Sequence, residues 1–419
     1  MLAKAPRGTR DILPGEVEKW SNLETFFRNL CKNYNYREIR TPIFEHTELF
    51  SRSVGEDTDI VGKEMYTFLD KGKRSLTLRP EGTASTVRAF LEHKMYAQAQ
   101  PTKLFYFGPM FRYDRPQAGR YRQFHQLGAE AFGSASPEID AEIICLAMDF
   151  FQSAGLNHLT LEINSVGCPQ CRPGYREEIR KILEKNRSDL CPDCQSRFET
   201  NPLRILDCKI EGCREVTLQV PEIFDHLCSY CVQHFEDVIN FLKLLEISYQ
   251  VNPKLVRGLD YYTNTAFEIV DTGLGSQNSL GGGGRYDGLV ETCGGSATPG
   301  VGFAIGLERV LLSLEQQSSQ LKYTEESRIF VATLGPSASS RGLQLVTELR
   351  RNGMAAEKDY QDRSLKAQMK QADRVGAAKV LILGEEELGK GKIVLRDMEK
   401  GDQREVELEE ILQILKNDL

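Results

Sequence analysis

The chain has 419 residues, 40% of them hydrophobic and 27% charged, with a net charge of -7 at pH 7. That length predicts two or three domains of ordinary globular balance. It argues against membrane-spanning helices, because no apolar run approaches the roughly 18 residues of a span. It also excludes a chain coated in nucleic acid, while leaving room for a local basic site.

The first twenty residues lack the apolar stretch of a signal peptide. A cytoplasmic location is expected, with the 11 cysteines as reduced thiols or metal ligands. Val17, Trp20, Leu23, Phe27, Leu30 and Tyr34 recur at spacings of three and four, which predicts a helix with one apolar face. REIRTPIFEHTELF then reads as a strand interrupted at Pro42. KRSLTLRPEGT predicts a strand running into a turn, and TASTVRAFLEHKMY a helix. Residues 103–133 read as a hairpin with a long tip around RPQAGR. LVRGLDYYTNTAFEIV is strand-like, and GVGFAIGLERVLLSL is a strand leading into a helix. Runs of strands and helices in this order predict an α+β domain built on an antiparallel sheet.

Between these halves, eight cysteines crowd into residues 168–231. We read 167–240 as an inserted domain between catalytic segments 1–166 and 241–320. The polar stretch EQQSSQLKYTEES reads as a linker. From Arg328 the strand–helix–helix–strand–strand–helix pattern predicts a separate α/β domain over 328–419.

No GxxxxGK[ST] loop and no GxGxxG after a strand occur, so a bound nucleotide must be held by arginines. Arginine offers a planar fork to phosphate and a face to a base. Arg112, Arg115, Arg120 and Arg122 fall within one short stretch of an acidic chain. Alternation places Arg122, Gln126 and Glu130 on one face, with Gly128 between them as a floor where a ligand can lie. The bland alternative is a solvated hairpin face with ordinary ion pairs. Glu81 in LRPEGT suits a substrate amine or a helix cap equally well. Arg257 stands beside Tyr261 and Tyr262. Four consecutive glycines, Gly281 to Gly284, are costly unless backbone must approach something closely. Arg309 opens an amphipathic helix, where a structural salt bridge is the alternative.

These residues resemble a known family. FRYDRPQAGRYRQFHQLGAEAFG and GVGFAIGLERVLL resemble motifs 2 and 3 of the class II aminoacyl-tRNA synthetases, and TPIFEHTELF their dimer-forming motif 1. LVRGLDYYTNTAFEIV and GGGGRYDGL resemble the two signatures of histidyl-tRNA synthetases of bacterial type. The last domain resembles their anticodon-binding domain. The resemblance covers nearly the whole chain, in order.

It implies a homodimeric ligase that joins L-histidine to histidine tRNA through a histidyl-adenylate, with ATP and Mg2+. It also implies roles. Arg112 grips the α-phosphate and the histidine carboxylate, and Arg309 stacks on adenine. Arg257 is a cation on the α-phosphate. Glu81, Thr83, Gln126, Glu130, Tyr261, Tyr262 and Tyr286 hold the amine and imidazole. Asp114 replaces a usual glutamate near the adenine amine. From their places on the hairpin, Arg112 and Arg122 are expected to serve ATP. Arg115 and Arg120, at the tip, are expected to serve the tRNA acceptor end.

Cys168-x2-Cys171 and Cys191-x2-Cys194 have the spacing of a structural zinc site. Cys208, Cys213, Cys228 and Cys231 are available as a second set, and eight metal-free thiols are the alternative. A rival from another class is a catalytically inactive synthetase paralogue that serves as a regulatory or tRNA-sensing module. Such proteins typically lose the RGLDYY segment, motif 3 or the last domain, all of which are present here.

Overall fold

The computed structural model describes residues 4–55, 58–317 and 328–418. The chain divides into two compact units, Met1–Leu321 and Lys322–Leu419. The linker EQQSSQLKYTEES lies outside the described residues from 318 onward.

In the first unit the strands are β1 Arg37–Glu38, β2 Phe44–His46, β3 Tyr66–Leu69, β4 Ser75–Leu78, β5 Thr102–Phe111, β6 Gln123–Phe132, β7 Thr160–Ser165, β8 Gln250–Val251, β9 Thr263–Val270, β10 Ser279–Arg285 and β11 Gly300–Gly306. An eight-stranded sheet runs in the order β1-β5-β6-β11-β10-β9-β7-β8. Its interior pairings are antiparallel, as expected for this α+β class. Only the two-residue edge strands β1 and β8 pair in parallel. The strands β2, β4 and β3 form a separate small sheet.

Period-2 alternation decides what each face of the large sheet does. Phe105, Leu127, Ala129, Phe303 and Ile305 point into the main core. There they meet Trp20, Leu23, Phe27 and Cys31 of the helix Val17–Asn33. Of the predicted face, Trp20, Leu23 and Phe27 are buried, Leu30 is partly so, Val17 at the start is exposed, and Tyr34 falls just beyond the helix, partly buried. Gln126, Gly128 and Glu130 point to the opposite face, which carries the cavity described below. The helix Pro137–Ser153 packs on the core side. Its Ile139, Ile143, Ile144, Leu146, Ala147, Phe150 and Phe151 are buried, while Glu138, Glu142, Asp149 and Gln152 recur at helical spacing on the outer side.

Two expected elements are shorter than their sequence suggests. The segment 255–262 is not strand; only β9 is. Pro42 falls in the gap between β1 and β2, consistent with a missing ladder donor. The cysteine-rich stretch builds its own small core from Tyr175, Ile179, Leu183, Phe198, Ile205 and Val216. The helix Ser229–Leu244, however, buries Phe235, Val238 and Leu242 in the main core.

The second unit carries β12 Arg328–Leu334, β13 Ala356–Lys358, β14 Ala377–Gly384, β15 Lys392–Asp397 and β16 Gln403–Glu407, in the order β13-β12-β14-β15-β16. Ile329 and Val331 face one apolar cluster, Phe330 and Ala332 another, so helices cover both sides. The short strands β13 and β16 go beyond the sequence reading. Both are polar edges: β16 is almost wholly exposed, which gives no apolar alternation to detect.

Candidate active site and cysteine centres

On the open face of the large sheet lies a cavity of about 390 Å³. Its floor includes Gly281, Gly282, Ala304 and Gly306, whose small side chains leave the space. A Cβ on Gly282 would meet Phe267 O at 2.5 Å and the Arg257 guanidinium at 2.8 Å. Close approach therefore explains that glycine, as its run in the sequence suggests. Gly128 behaves differently. A Cβ there would lie 2.3 Å from the ring of Tyr106, and one on Gly82 2.2 Å. The gap between Gln126 and Glu130 is thus filled by the protein's own tyrosine, not left for a ligand.

Part of the cavity is built from neutral and acidic groups. Glu81 accepts the backbone N–H groups of Thr83 and Ala84 at 2.6 and 2.8 Å. It therefore caps the helix Thr83–Glu92 and lines the cavity at once. Burial pushes its carboxyl above the usual range, against those two N–H donors. Glu130 is 0% exposed and lies behind Thr83, off the cavity wall. Thr83 Oγ1 donates to it at 2.7 Å, Tyr106 at 3.2 Å, and Tyr286 also donates. Burial raises its pKa to about 8, while Tyr286 and Thr83 hold it down. Tyr286 is likewise buried off the wall, whereas Thr83, Gln126, Tyr261 and Tyr262 line it. Gln126 has glycine as neighbour on both adjoining strands, Gly108 and Gly306. Its Oε1 is buried and accepts no hydrogen bond. An unpaired buried acceptor on a cavity wall costs roughly 1–3 kcal/mol unless a ligand donor meets it.

Four arginines line the same cavity. Arg112 donates from Nε to Pro80 O at 2.9 Å and lies over the Phe124 ring. Burial draws its pKa down, while Glu64 and Glu81 oppose this. Arg309 donates to Ser279 O at 2.6 Å. Burial, then repulsion from Arg120 and Arg112, holds it below its ordinary value, against Glu268. Arg257 pairs with Glu268 at 2.7 Å. Burial lowers its pKa, but Glu268 outweighs that and leaves it raised. Arg112, Arg120, Arg257 and Arg309 all line the cavity.

Two hairpin arginines exchange the places expected of them. Arg120 lines the cavity and pairs with Asp114, which also accepts the Arg115 N–H at 2.7 Å. Arg122 does not line it. β6 starts only at Gln123, and the Arg122 backbone N–H is bonded to Gly8 O at 2.7 Å. The chain bends there, so alternation does not extend back to Arg122. Its guanidinium lies 3.8 Å from the centre of the Tyr113 ring instead. Arg115 remains exposed at the tip. Asp207, Glu268 and Glu308 also line the cavity, beyond the sequence reading. Asp207 comes from the cysteine-rich insert, where nothing local marks it. Glu308 stands beside Arg309 and binds the His125 N–H at 2.9 Å.

The cysteines gather in two sets of four, but not by order in the chain. Cys168 and Cys171 join Cys228 and Cys231, while Cys191 and Cys194 join Cys208 and Cys213. The expected grouping of Cys168 and Cys171 with Cys191 and Cys194 is therefore corrected. The helix Arg172–Lys185 carries the chain away from the first pair, and the insert's return brings Cys228 back to it. Within the first set, sulfur separations are 3.6, 4.0, 3.7 and 3.5 Å. Tetrahedral zinc with arms of roughly 2.3 Å places its sulfurs about 3.8 Å apart, so the set fits that ion. The second set lies within 4.8 Å throughout. Backbone N–H groups of Cys228 and Cys191 point at Cys171 and Cys213 sulfurs, each at 3.1 Å, as suits a thiolate acceptor.

An antiparallel sheet with motif arginines around a cavity on one face, followed by a separate α/β unit, is the layout that the resemblance to class II synthetases implies. A model of the histidyl-tRNA synthetase family matches residues 8–310, and one of an anticodon binding domain matches 328–418. The chain is 58% identical over 416 residues to a histidine–tRNA ligase of Desulforamulus reducens, covering 99% of each. One from Pelotomaculum thermopropionicum is 56% identical, covering 99% of this chain and 98% of the relative. Apo histidyl-tRNA synthetase of S. aureus has a TM-score of 0.84 and 44% identity, covering 99% of each chain. The chain belongs to the histidyl-tRNA synthetase family.

Proposed function

We infer that the chain is a histidine–tRNA ligase. ATP and L-histidine give histidyl-adenylate and pyrophosphate, and the histidyl group then passes to tRNA. The observation that carries the reading is one cavity lined by Arg112, Arg120, Arg257 and Arg309 together with Glu81, Tyr261 and Tyr262. Phosphoryl chemistry of this kind needs positioning and charge neutralisation more than a covalent nucleophile. Four convergent arginines supply both.

In this reading Arg112 and Arg257 hold the α-phosphate and the histidine carboxylate, and Arg309 and Arg120 take the rest of the ATP. Magnesium enters with ATP as part of the substrate. Asp114 orients Arg120 and faces the adenine end. Glu81 and Thr83 take the substrate amine. Gln126 Oε1 accepts an N–H of the imidazole. Glu130, working through Thr83 and Tyr286, positions that wall. Tyr261 and Tyr262 close it. Arg115 reaches the tRNA acceptor end, and Arg122 braces the hairpin on Tyr113.

The segments 1–166 and 241–320 form the catalytic body, 167–240 the insert, and 328–419 the anticodon-binding part. Phe44 and Phe68 share one face of the small sheet and are 48% and 44% exposed, which supports a homodimer joined there. Each cysteine set holds one zinc ion that closes a core too small to stand alone. The test is pyrophosphate exchange into ATP with each of the twenty amino acids in turn. Exchange with histidine alone is the expected result. No exchange with any of them means the inactive paralogue, which full-length identity to ligases disfavours.

A further inference from the structure

The insert reaches the cavity through one face of one segment. Arg197, Asn201 and Arg204 are spaced four and three residues apart, and each grips a different part of the cavity's rim. Arg197 Nη2 pairs with Asp59 Oδ2 at 2.6 Å, one residue before Ile60 of the cavity wall. Asn201 Nδ2 donates to Asp260 Oδ1 at 2.5 Å. Arg204 Nη1 donates to the carbonyl of Arg257 at 3.0 Å. A Cβ on Gly258 would lie 2.9 Å from that same nitrogen, so the loop leaves room for the contact. The segment 257–262 is not part of a strand, and no sheet ladder fixes it. The backbone N–H of Asp260 donates to Val54 O at 3.3 Å and Leu259, Tyr261 and Tyr262 pack on an apolar cluster, and the insert's side-chain bonds add to these. The gripping residues lie between Cys194 and Cys208, two members of the second cysteine set, and Asp207 beside Cys208 lines the cavity.

We propose that the set Cys191, Cys194, Cys208 and Cys213 is a zinc site that holds Arg197, Asn201 and Arg204 against the cavity, making them positioning residues for histidine activation. The inference rests on the ligase and zinc readings above. Zinc bound there closes the 194–208 segment into a rigid loop. Without it, the three contacts lose their common alignment. A misplacement of about 1 Å at Arg257 costs roughly 10²-fold in rate. Arg112, bonded to Pro80 O, and Arg309, on the helix Leu307–Gln316, keep their places and continue to hold the ATP.

The test uses the full chain with zinc measured per protein. Wild type should hold two zinc ions. Arg204→Ala should keep both and lose about 10²-fold in kcat/KM for histidine in exchange, with the ATP KM nearly unchanged. Arg204→Lys, which retains a donor, should recover part of the loss. Cys208→Ser should hold one zinc and reproduce the Arg204→Ala pattern, and combining the two should add little. Should Cys208→Ser not fold, zinc stripped from wild type by chelator and then restored should raise and restore the histidine KM. A wild type with fewer than two zinc ions and normal exchange overturns the zinc reading of this set and the inference with it. Two zinc ions together with wild-type histidine kinetics in Arg204→Ala overturn the positioning role alone. A wild type inert with every amino acid overturns the ligase reading itself.

Discussion

Two carboxyl groups, Glu130 and Asp140, are both 0% exposed in the same unit, yet their surroundings are opposite. Asp140 lies between Arg285, itself 0% exposed, at 2.9 Å and His234 at 2.6 Å. Arg285 belongs to the GGGGRYDG stretch, and His234 to the helix that leaves the cysteine insert. Asp140 thus ties three distant segments with fixed counter-charge. Among the described residues Glu130 has no cation bonded to it, only the hydroxyls of Thr83, Tyr106 and Tyr286. A structural charge is neutralised where it stands. Glu130 is left unneutralised, so burial raises its pKa against the hydroxyls that hold it down.

That contrast can be broken most forcibly at Asp140. Asp140→Ala leaves the buried Arg285 with only Asp287 and the carbonyls of Ser134 and Ser136, and breaking such a pair costs up to about 3–5 kcal/mol. A denaturant midpoint should fall accordingly, and an unchanged midpoint would mean the pair is not the anchor described. Next in size is Arg112→Ala. Removing one fixed charge from a water-excluded site costs roughly 10²–10³-fold in exchange rate, with the fold retained.

Glu130→Gln should cost less, chiefly as a raised histidine KM, with the ATP KM nearly constant. It also carries a pH signature. The folded pKa of about 8 lies above the ordinary value of 4.5. The unfolded chain therefore ionises first, and the contribution of Glu130 to stability is full below 4.5 and lost as pH rises through 8. Thermal midpoints of wild type should decline across that window relative to Glu130→Gln, then run parallel above it. A constant difference would mean that Glu130 is ionised throughout. The smallest effect is expected at Arg115. Its alanine variant should leave exchange intact and slow transfer to tRNA modestly, with the deficit shrinking as salt rises. Arg120→Ala should instead impair exchange, which separates the two arginines.

The alternation of β6 was legible from sequence over Gln126 to Glu130, where Leu127 and Ala129 turn to the core. The same rule failed at Arg122, where the bond to Gly8 bends the chain one residue before the strand. It also misassigned Gly128, because alternation tells which face a gap is on and not what fills it. Tyr106 fills it from the neighbouring strand. The cysteine spacing identified ligand pairs but not partners, since the return path of the insert is a matter of tertiary packing. Asp207 and the Arg197–Asn201–Arg204 face stayed unread for the same reason. Their function lies in residues far away in the chain.

Consider finally the first cysteine set from the standpoint of chain topology. Cys171 and Cys231 are 60 positions apart in sequence, yet their sulfurs are 3.7 Å apart. The polypeptide thus leaves the catalytic body and re-enters it through a single gate. To the sheet, everything between is no longer than a tight turn. Such a segment can be lengthened, shortened or exchanged without disturbing the register of the strands on either side. The gate makes the insert a replaceable part as far as folding is concerned, so its retention has to be explained by what it touches.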